Sequence, residues 1–165
     1  MLEQDHGVGK TTFALQISEN ILKRGKSVAF ISLEMSEEQI ITKLMSRIAR
    51  VNSGKIRNGN LEEEEILRIA QATTKIHGYK FSILTKCRTI QQIEVAAKKL
   101  KSRGNLDLLV IDYLQLVKNS GTFTNREQQV ADISRTLKLM SLDLDIPVIA
   151  LCQLNRNAAK AIPTM

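Results

Sequence analysis

A short glycine-rich run near the start of the chain has the residue types that bind phosphate. It reads Gly7-Val8-Gly9-Lys10-Thr11-Thr12 and stands directly before a predicted helix. Glycines let backbone N–H groups turn toward phosphate oxygens, and the positive end of the helix dipole favours the same anions. Lys10 is expected to reach the β- and γ-phosphates of a nucleotide, and the Thr11 hydroxyl to ligate Mg²⁺. We therefore predict a nucleotide-binding loop formed by Gly7, Val8, Gly9, Lys10, Thr11 and Thr12.

This run matches only part of the full phosphate-loop pattern. That pattern has another glycine five positions before Gly9, where this chain has Gln4, and it follows a strand for which few upstream residues remain. The alternative interpretation is a glycine-rich turn that merely precedes a helix. The Gly-Lys-Thr-Thr continuation at a helix start favours phosphate binding, and we expect the N-terminus to be truncated or altered.

An apolar segment that ends in a carboxylate gives separate support. Residues 106–111 are predicted to form a strand buried on both faces, and Asp112 follows it directly. Ligands of open α/β sheets bind at the carboxyl ends of the strands. Asp112 is therefore predicted to lie opposite the phosphate loop and to hold Mg²⁺ through water. Apolar strands that end in Asp are common, so Asp112 alone is weak evidence for a metal site. Together with Lys10 it becomes persuasive.

Two further polar residues follow predicted strands and are expected at the same edge of the sheet. Glu34 comes after the strand at 28–33, and we predict that it orients or deprotonates the water that attacks the γ-phosphate. The alternative is that Glu34 only begins the helix capped at Ser36. Gln153 ends the last strand, where its amide can contact the γ-phosphate as a nucleotide sensor. A solvated Gln at a strand end is the alternative there.

Helical and strand-like segments alternate along the chain, which is typical of a parallel sheet with crossover helices. Strands are predicted at 28–33, 81–84, 106–111 and 146–151, and helices at 10–24, after Ser36, from Glu62, at 89–103 and through Val130 to Met140. A polar segment containing Gly54 and Gly59 is predicted to interrupt this pattern, and 118–125 to form a surface loop. The expected fold class is α/β, with a mostly parallel twisted sheet and helices on both faces.

Composition limits the classes of protein that this chain can represent. Twenty-four Lys and Arg against 17 Asp and Glu give a net charge of +7, which suits a nucleic-acid partner but also occurs on solvated surfaces. Cys87 and Cys152 are far apart in contexts unlike metal sites, so neither a disulfide framework nor a zinc site is predicted. No segment has the ~20 apolar residues of a membrane span, and no signal-peptide core is present. We expect a soluble protein of the reducing cytoplasm.

Three ordered segments resemble motifs of the DnaB-type replicative DNA helicases. They are Ser32-Leu33-Glu34-Met35-Ser36, Asp112-Tyr113-Leu114-Gln115-Leu116, and Ile146-Pro147-Val148-Ile149-Ala150-Leu151-Cys152-Gln153-Leu154-Asn155-Arg156. Residues 55–61 and 125–137 also resemble that family, so the similarity covers nearly the whole chain. The chain is thus similar to the C-terminal, RecA-like ATPase domain of these helicases.

The resemblance implies a P-loop NTPase core that binds ATP and Mg²⁺, assembles as a ring hexamer and hydrolyses ATP between subunits. Such a ring encircles single-stranded DNA and unwinds the duplex in the 5′ to 3′ direction. The resemblance implies Glu34 as the catalytic glutamate, Asp112 as the acid linked to the metal and Gln153 as the sensor, acting with Lys10. A primase and a helicase loader are the expected partners of a full-length family member, and no membrane is expected.

This chain departs from the family pattern at both ends. Where these helicases have Ala-Arg-Pro-Ser-Met before Gly-Lys-Thr, it has Gln4-Asp5-His6-Gly7-Val8, which is closer to other phosphate loops and still expected to bind phosphate. It stops at Met165, where the family continues into its last DNA-binding motif and the arginine finger, and the family's N-terminal domain is absent. We expect a single domain over residues 1–165, incomplete at both ends, that binds nucleotide more readily than it hydrolyses ATP or unwinds DNA alone.

The loop that follows Asp112 is where the resemblance places DNA. In RecA-like rings the corresponding loop points to the central channel, so Lys118 and Arg126 are predicted to contact DNA phosphates in a salt-dependent manner. A solvated loop is the alternative. The alternatives to a helicase motor are another RecA-like repair or recombination ATPase, and a nucleotide-binding fragment without turnover. The run from Asp112 to Leu116 favours the helicase.

Overall fold

The computed structural model describes residues 8–118 and 126–152. Four strands run in chain order, β1 Val28–Ser32, β2 Phe81–Leu84, β3 Leu108–Asp112 and β4 Val148–Ala150. The helices are α1 Val8–Leu22, α2 Glu37–Ala49, α3 Ser53–Asn58, α4 Glu63–His77, α5 Ile90–Ser102 and α6 Arg126–Asp143, with a 3-10 turn at Leu114–Leu116. None of the helices in these two ranges has the length and apolar character that a membrane crossing requires.

The strands form one four-stranded parallel sheet in the order β2-β1-β3-β4. Side chains of the central strands alternate between its two faces, as the pleat requires. One face packs against α1 and α2 and contributes Val28, Phe30, Leu108 and Val110. The other face packs against α5 and α6 and contributes Ala29, Ile31, Leu109 and Ile111. The predicted α/β class, with a parallel sheet and helices on both faces, is therefore confirmed.

The register of β3 corrects the predicted strand. The strand begins at Leu108 rather than at residue 106 and includes Asp112, which pairs with Ser32 of β1. Asp107 stays outside because its side chain caps the neighbouring chain segment: its Oδ2 accepts hydrogen bonds from the backbone N–H and the hydroxyl of Ser27, both at 2.7 Å. This contact joins the amino ends of β1 and β3 and fixes their relative register.

The helix starts follow the capping signals in the sequence. At Ser36 and at Thr89 the side-chain oxygen accepts the backbone N–H of the residue three positions later, and the Gln39 or Gln92 side chain binds back to the cap. Both helix starts are therefore capping boxes. They orient α2 and α5, which lie on opposite faces of the sheet.

The predicted polar interruption around Gly54 and Gly59 is wrong, because this segment forms the short helix α3. The Asn52 side chain accepts a hydrogen bond of 2.7 Å from the Gly54 N–H, which caps the helix start. Gly59 ends the helix with a positive φ of 70°. Ile56 packs partly against the cluster between α2 and α4, so one apolar contact anchors an otherwise polar turn of helix.

Candidate nucleotide-binding site

The carboxyl ends of all four strands meet at one edge of the sheet, because every neighbouring pair is parallel. At this edge Ser32 pairs with Asp112, and Ile111 pairs with Ala150. The start of α1 lies at the same edge, since its first turn contacts the ends of β3 and β4 as described below. The topology thus brings the glycine-rich segment to the strand ends where open α/β sheets bind ligands.

Thr11 and Asp112 are joined directly although 101 positions separate them in the chain. The Thr11 hydroxyl donates to Oδ2 of Asp112 at 2.5 Å, and both residues are buried. Burial raises the pKa of the Asp112 carboxyl above its ordinary value, while the Thr11 hydrogen bond and the positive charges of Lys10 and Lys43 oppose that rise. Since burial outweighs these contacts, the charged form of Asp112 is only partly compensated, and a bound cation would stabilise it further.

Lys10 extends from α1 across the strand ends. Its ammonium group donates to the backbone carbonyl of Cys152, just after β4, at 3.4 Å. The same group lies 5.8 Å from the centre of the Tyr113 ring, a distance at which a cation and an aromatic face attract each other. Lys10 therefore projects over the segment between β3 and β4, beside Asp112, and its positive charge stays at the edge of the site.

Glu34 lies in a tight bend between β1 and α2, and its side chain is exposed. The bend is fixed on both sides. The Leu33 N–H donates to the Asp112 carbonyl at 3.0 Å, and the Met35 N–H donates to the Ser32 hydroxyl at 3.2 Å. The helix α2 begins only at Glu37, so Glu34 does not belong to its first turn. These contacts hold Glu34 at the carboxyl edge, next to the strand that ends in Asp112.

The remaining residues of the predicted phosphate loop are only partly described. Val8 and Gly9 open α1, and a methyl group built on Gly9 would meet no heavy atom within 4 Å, so the space beside its backbone is open. Thr12 lies in the same first turn and is partly buried. Gly7 and Gln153 lie outside the described residues, and their predicted roles stay predictions.

The two residues predicted to contact DNA lie on either side of a segment, 119–125, that is outside the described residues. Lys118 forms a parallel bridge with Thr89. Arg126 is the first residue of α6 rather than part of the loop, and its guanidinium donates to the carbonyl of Gln115 at 2.9 Å. Both side chains are exposed, so the structure brings them to the surface near the end of β3.

Three residues of the site were not among those predicted to do chemistry. Lys43 lies in the middle of α2, and its positive charge lowers the pKa of Asp112. The packing of α2 on the sheet brings the two residues close enough to interact. Tyr113 directly follows β3, and its ring contacts Lys10 from a chain segment about a hundred positions away. The hydroxyl of Ser32, which closes the bend at Glu34, had a weak signal in its spacing of three residues to Met35.

The oxygen atoms of Thr11 and Asp112 fit Mg²⁺. They do not form the larger set of protein ligands that a metal ion bound by protein alone requires. Thr11 and Asp112 offer hard oxygen ligands, which Mg²⁺ prefers. Residues 8–118 and 126–152 contain no group of three or more His, Cys, Asp or Glu side chains able to hold a metal ion. Mg²⁺ usually keeps several waters and completes its shell with substrate phosphates, so a pair of one Thr and one Asp fits the few protein ligands that this cation takes.

Comparison with known families agrees with this geometry. Residues 4–163 match the model of the DnaB-like helicase C terminal domain. The chain belongs to this family. The recognition made from the sequence motifs is therefore confirmed. The same match includes the phosphate-loop region, the bend at Glu34 and the end of β3, so the site described above lies within the family's shared domain.

Individual relatives show the same domain within longer proteins. The chain is 40% identical over 154 residues to the "Replicative DNA helicase DnaB" of Buchnera aphidicola subsp. Baizongia pistaciae, covering 91% of this chain and 33% of that protein. It is 39% identical over 153 residues to the "Replicative DNA helicase DnaC" of Bacillus subtilis, covering 91% of this chain and 34% of that protein. The chain thus spans about a third of the length of the curated relatives it matches.

Solved structures establish the fold. One of them, described as an ATPase domain, superposes with a TM-score of 0.86 at 30% identity, covering 94% of this chain and 56% of that one. A DnaB-like replicative helicase described with its interactions with primase gives the same TM-score and identity, covering 95% of this chain and 39% of the other. The predicted RecA-like core is confirmed by these neighbours.

Proposed function

We propose that this DnaB-like domain is the ATP-hydrolysing motor of a hexameric replicative DNA helicase that unwinds DNA in the 5′ to 3′ direction. The observation that carries the proposal is the direct contact between Thr11, at the start of α1, and Asp112, at the end of β3. It joins the two halves of a phosphate and metal site at the edge of the sheet where ligands bind. Family membership supplies the context of DNA replication.

The residues have distinct roles in this proposal. The backbone N–H groups of Gly7, Val8, Gly9 and Thr12 bind the phosphates of ATP, and Lys10 binds the β- and γ-phosphates. Thr11 and Asp112 would hold Mg²⁺, with Asp112 acting through water. Mg²⁺, when bound, neutralises negative charge that develops on the phosphate oxygens. Asp112 is buried, so a cation bound beside it would stabilise the charged form of its carboxylate.

Glu34 and Gln153 act on the attacking water. The exposed Glu34 carboxylate, held by the fixed bend after β1, accepts a proton from that water as general base. Gln153 contacts the γ-phosphate as a sensor. Because phosphoryl transfer depends mainly on positioning and charge stabilisation, a rigid bend at Glu34 suits this role.

The proposed assembly is a homohexameric ring around single-stranded DNA in the cytoplasm, with Lys118 and Arg126 contacting DNA phosphates. A primase and a helicase loader are the proposed partners of the full-length protein. The structural neighbour described with primase supports the first of these partners. The exposed position of both cations, on the two sides of segment 119–125, supports their contact with DNA.

Steady-state ATP hydrolysis tests the proposed motor. We expect phosphate release by the unmodified chain to rise when single-stranded oligonucleotide is added, because DNA binding and the ATP site share the carboxyl edge of the sheet. The Asp112→Asn chain, purified in parallel, measures any contaminating ATPase. If the chain binds nucleotide but DNA does not stimulate hydrolysis, the chain is not an autonomous motor. The alternative of a nucleotide-binding fragment would then stand.

A further inference from the structure

We propose that Lys86 and Arg88, in the loop between β2 and α5, form a second contact for the phosphate backbone of single-stranded DNA beside Lys118. This inference rests on the proposed function and deepens it. The loop follows the carboxyl end of β2, so it lies at the same edge of the sheet as the nucleotide site. The predicted DNA-binding residues did not include it.

Backbone hydrogen bonds tie this loop to the start of the segment predicted to contact DNA. The Lys118 N–H donates to the carbonyl of Arg88 at 2.8 Å, and the Ile90 N–H donates to the carbonyl of Lys118 at 3.0 Å. Together they form the parallel bridge between Thr89 and Lys118. Any strand of DNA that reaches Lys118 therefore passes directly beside Arg88.

The position of Arg88 is also fixed from the helix side. The side-chain oxygen of Gln92 accepts the N–H groups of Arg88 at 2.9 Å and of Thr89 at 3.2 Å, as part of the capping box of α5. Cys87 is partly buried and packs against the core beneath the loop. Lys86 and Arg88, on either side of this anchored residue, are both exposed. The backbone is preorganised while both charges face solvent.

Exposed cations lie in and near this loop. Lys86, Arg88, Lys118 and Arg126 are all exposed, and no ion pair within residues 8–118 and 126–152 includes any of them. The first turn of α5 contains no acidic residue, so the positive end of its dipole is not neutralised there. Its first acid, Glu94, pairs with Lys98 at 2.6 Å.

The first turns of α2 and α4 have the opposite composition. Glu37 and Glu38 begin α2, and the first turn of α4 contains three glutamates. These acids offset the dipole at those two helix starts. The start of α5, next to Lys118, therefore keeps the positive partial charge that acids offset at the starts of α2 and α4. A flexible polyanion is the partner that suits exposed lysine and arginine side chains spread over adjacent loops.

Salt-dependent DNA binding tests this inference. The variant carries Lys86→Gln and Arg88→Gln, and the probe is a fluorescein-labelled oligothymidylate titrated with the full chain at several KCl concentrations. Loss of two single-strand phosphate contacts makes the slope of log K against log salt shallower by about 1.4, which weakens binding by roughly 10- to 30-fold at 0.1 M salt. Affinity for a fluorescent ATP analogue should stay unchanged, which shows that the fold is intact.

A matched control removes the same charge elsewhere. Lys80 precedes β2 and Lys99 lies in the last turn of α5, so both exposed lysines are at the opposite ends of their elements. The Lys80→Gln and Lys99→Gln double variant should bind DNA with the slope of the unmodified chain. Equal losses in the two double variants would show an effect of net charge alone and overturn the inference.

The single variant Lys118→Gln separates this inference from the proposed function. If Lys118→Gln weakens DNA binding but the Lys86 and Arg88 double variant does not, the second contact is absent while the proposed DNA site stands. If the unmodified chain binds ATP but no oligothymidylate, the inference and the proposed motor are both contradicted. We expect both the Lys118→Gln variant and the Lys86 and Arg88 double variant to bind DNA more weakly and to show a shallower slope of log K against log salt.

Discussion

The Lys10→Ala chain is expected to bind ATP about 10- to 150-fold more weakly than the unmodified chain, because it loses a charge-assisted hydrogen bond to phosphate of about 1.5 to 3 kcal/mol. The Lys10 ammonium already lies at the strand ends, 3.4 Å from the carbonyl of Cys152. Its loss removes the only side-chain cation of the predicted phosphate loop. Titration of a fluorescent ATP analogue measures the affinity directly.

Lys80→Ala is the matched control for this prediction. It removes an exposed lysine at the opposite edge of the sheet, so the net charge falls equally while the site is untouched. Circular dichroism should show the same helix content in both variants, since alanine is a good helix former at the start of α1. Unchanged ATP affinity in the Lys10→Ala chain would show that the phosphate-loop assignment is wrong.

The Glu34→Gln chain is expected to retain ATP binding and to lose at least about 100-fold in hydrolysis rate, since general-base catalysis typically contributes roughly 10² to 10⁴-fold. The amide preserves the size of the side chain and the bend after β1, but it cannot accept a proton from water at neutral pH. Phosphate release, measured where the unmodified chain turns over, gives the rate.

Glu38→Gln provides the control for charge near this site. Glu38 is exposed in the first turn of α2, a few residues beyond the bend, and the substitution removes the same charge. Its hydrolysis rate should stay within about twofold, because a residue outside the site changes only weak, screened electrostatics. A Glu34→Gln chain that hydrolyses ATP as fast as Glu38→Gln would require a different general base.

Much of this fold follows from local patterns in the sequence. Ser36 with Gln39 and Thr89 with Gln92 mark helix starts because their side chains satisfy backbone N–H groups that no helix can satisfy internally. The apolar run of β3 predicts a strand buried on both faces, which is typical of a parallel sheet covered by helices. The meeting of Thr11 with Asp112 then follows from topology, although 101 positions separate them.

The features that were missed depend on contacts made by single side chains. The helix α3 forms because the Asn52 side chain caps it and Ile56 packs against an apolar cluster. The hydrophobic periodicity of six mostly polar residues indicates neither contact. Asp107 leaves β3 because it binds Ser27, a residue 80 positions away. The attraction between Lys43 and Asp112 likewise depends on how α2 packs on the sheet.

Thr11 and Asp112 are expected to form a Mg²⁺-dependent ATP site, and titration of a fluorescent ATP analogue with Mg²⁺ or with EDTA tests this expectation most directly. We expect the unmodified chain to bind the analogue more tightly with Mg²⁺ than with EDTA, because protein oxygens and substrate phosphates bind this cation together. The Asp112→Asn chain should lose this dependence. Equal affinity of the unmodified chain in Mg²⁺ and in EDTA would contradict the claim.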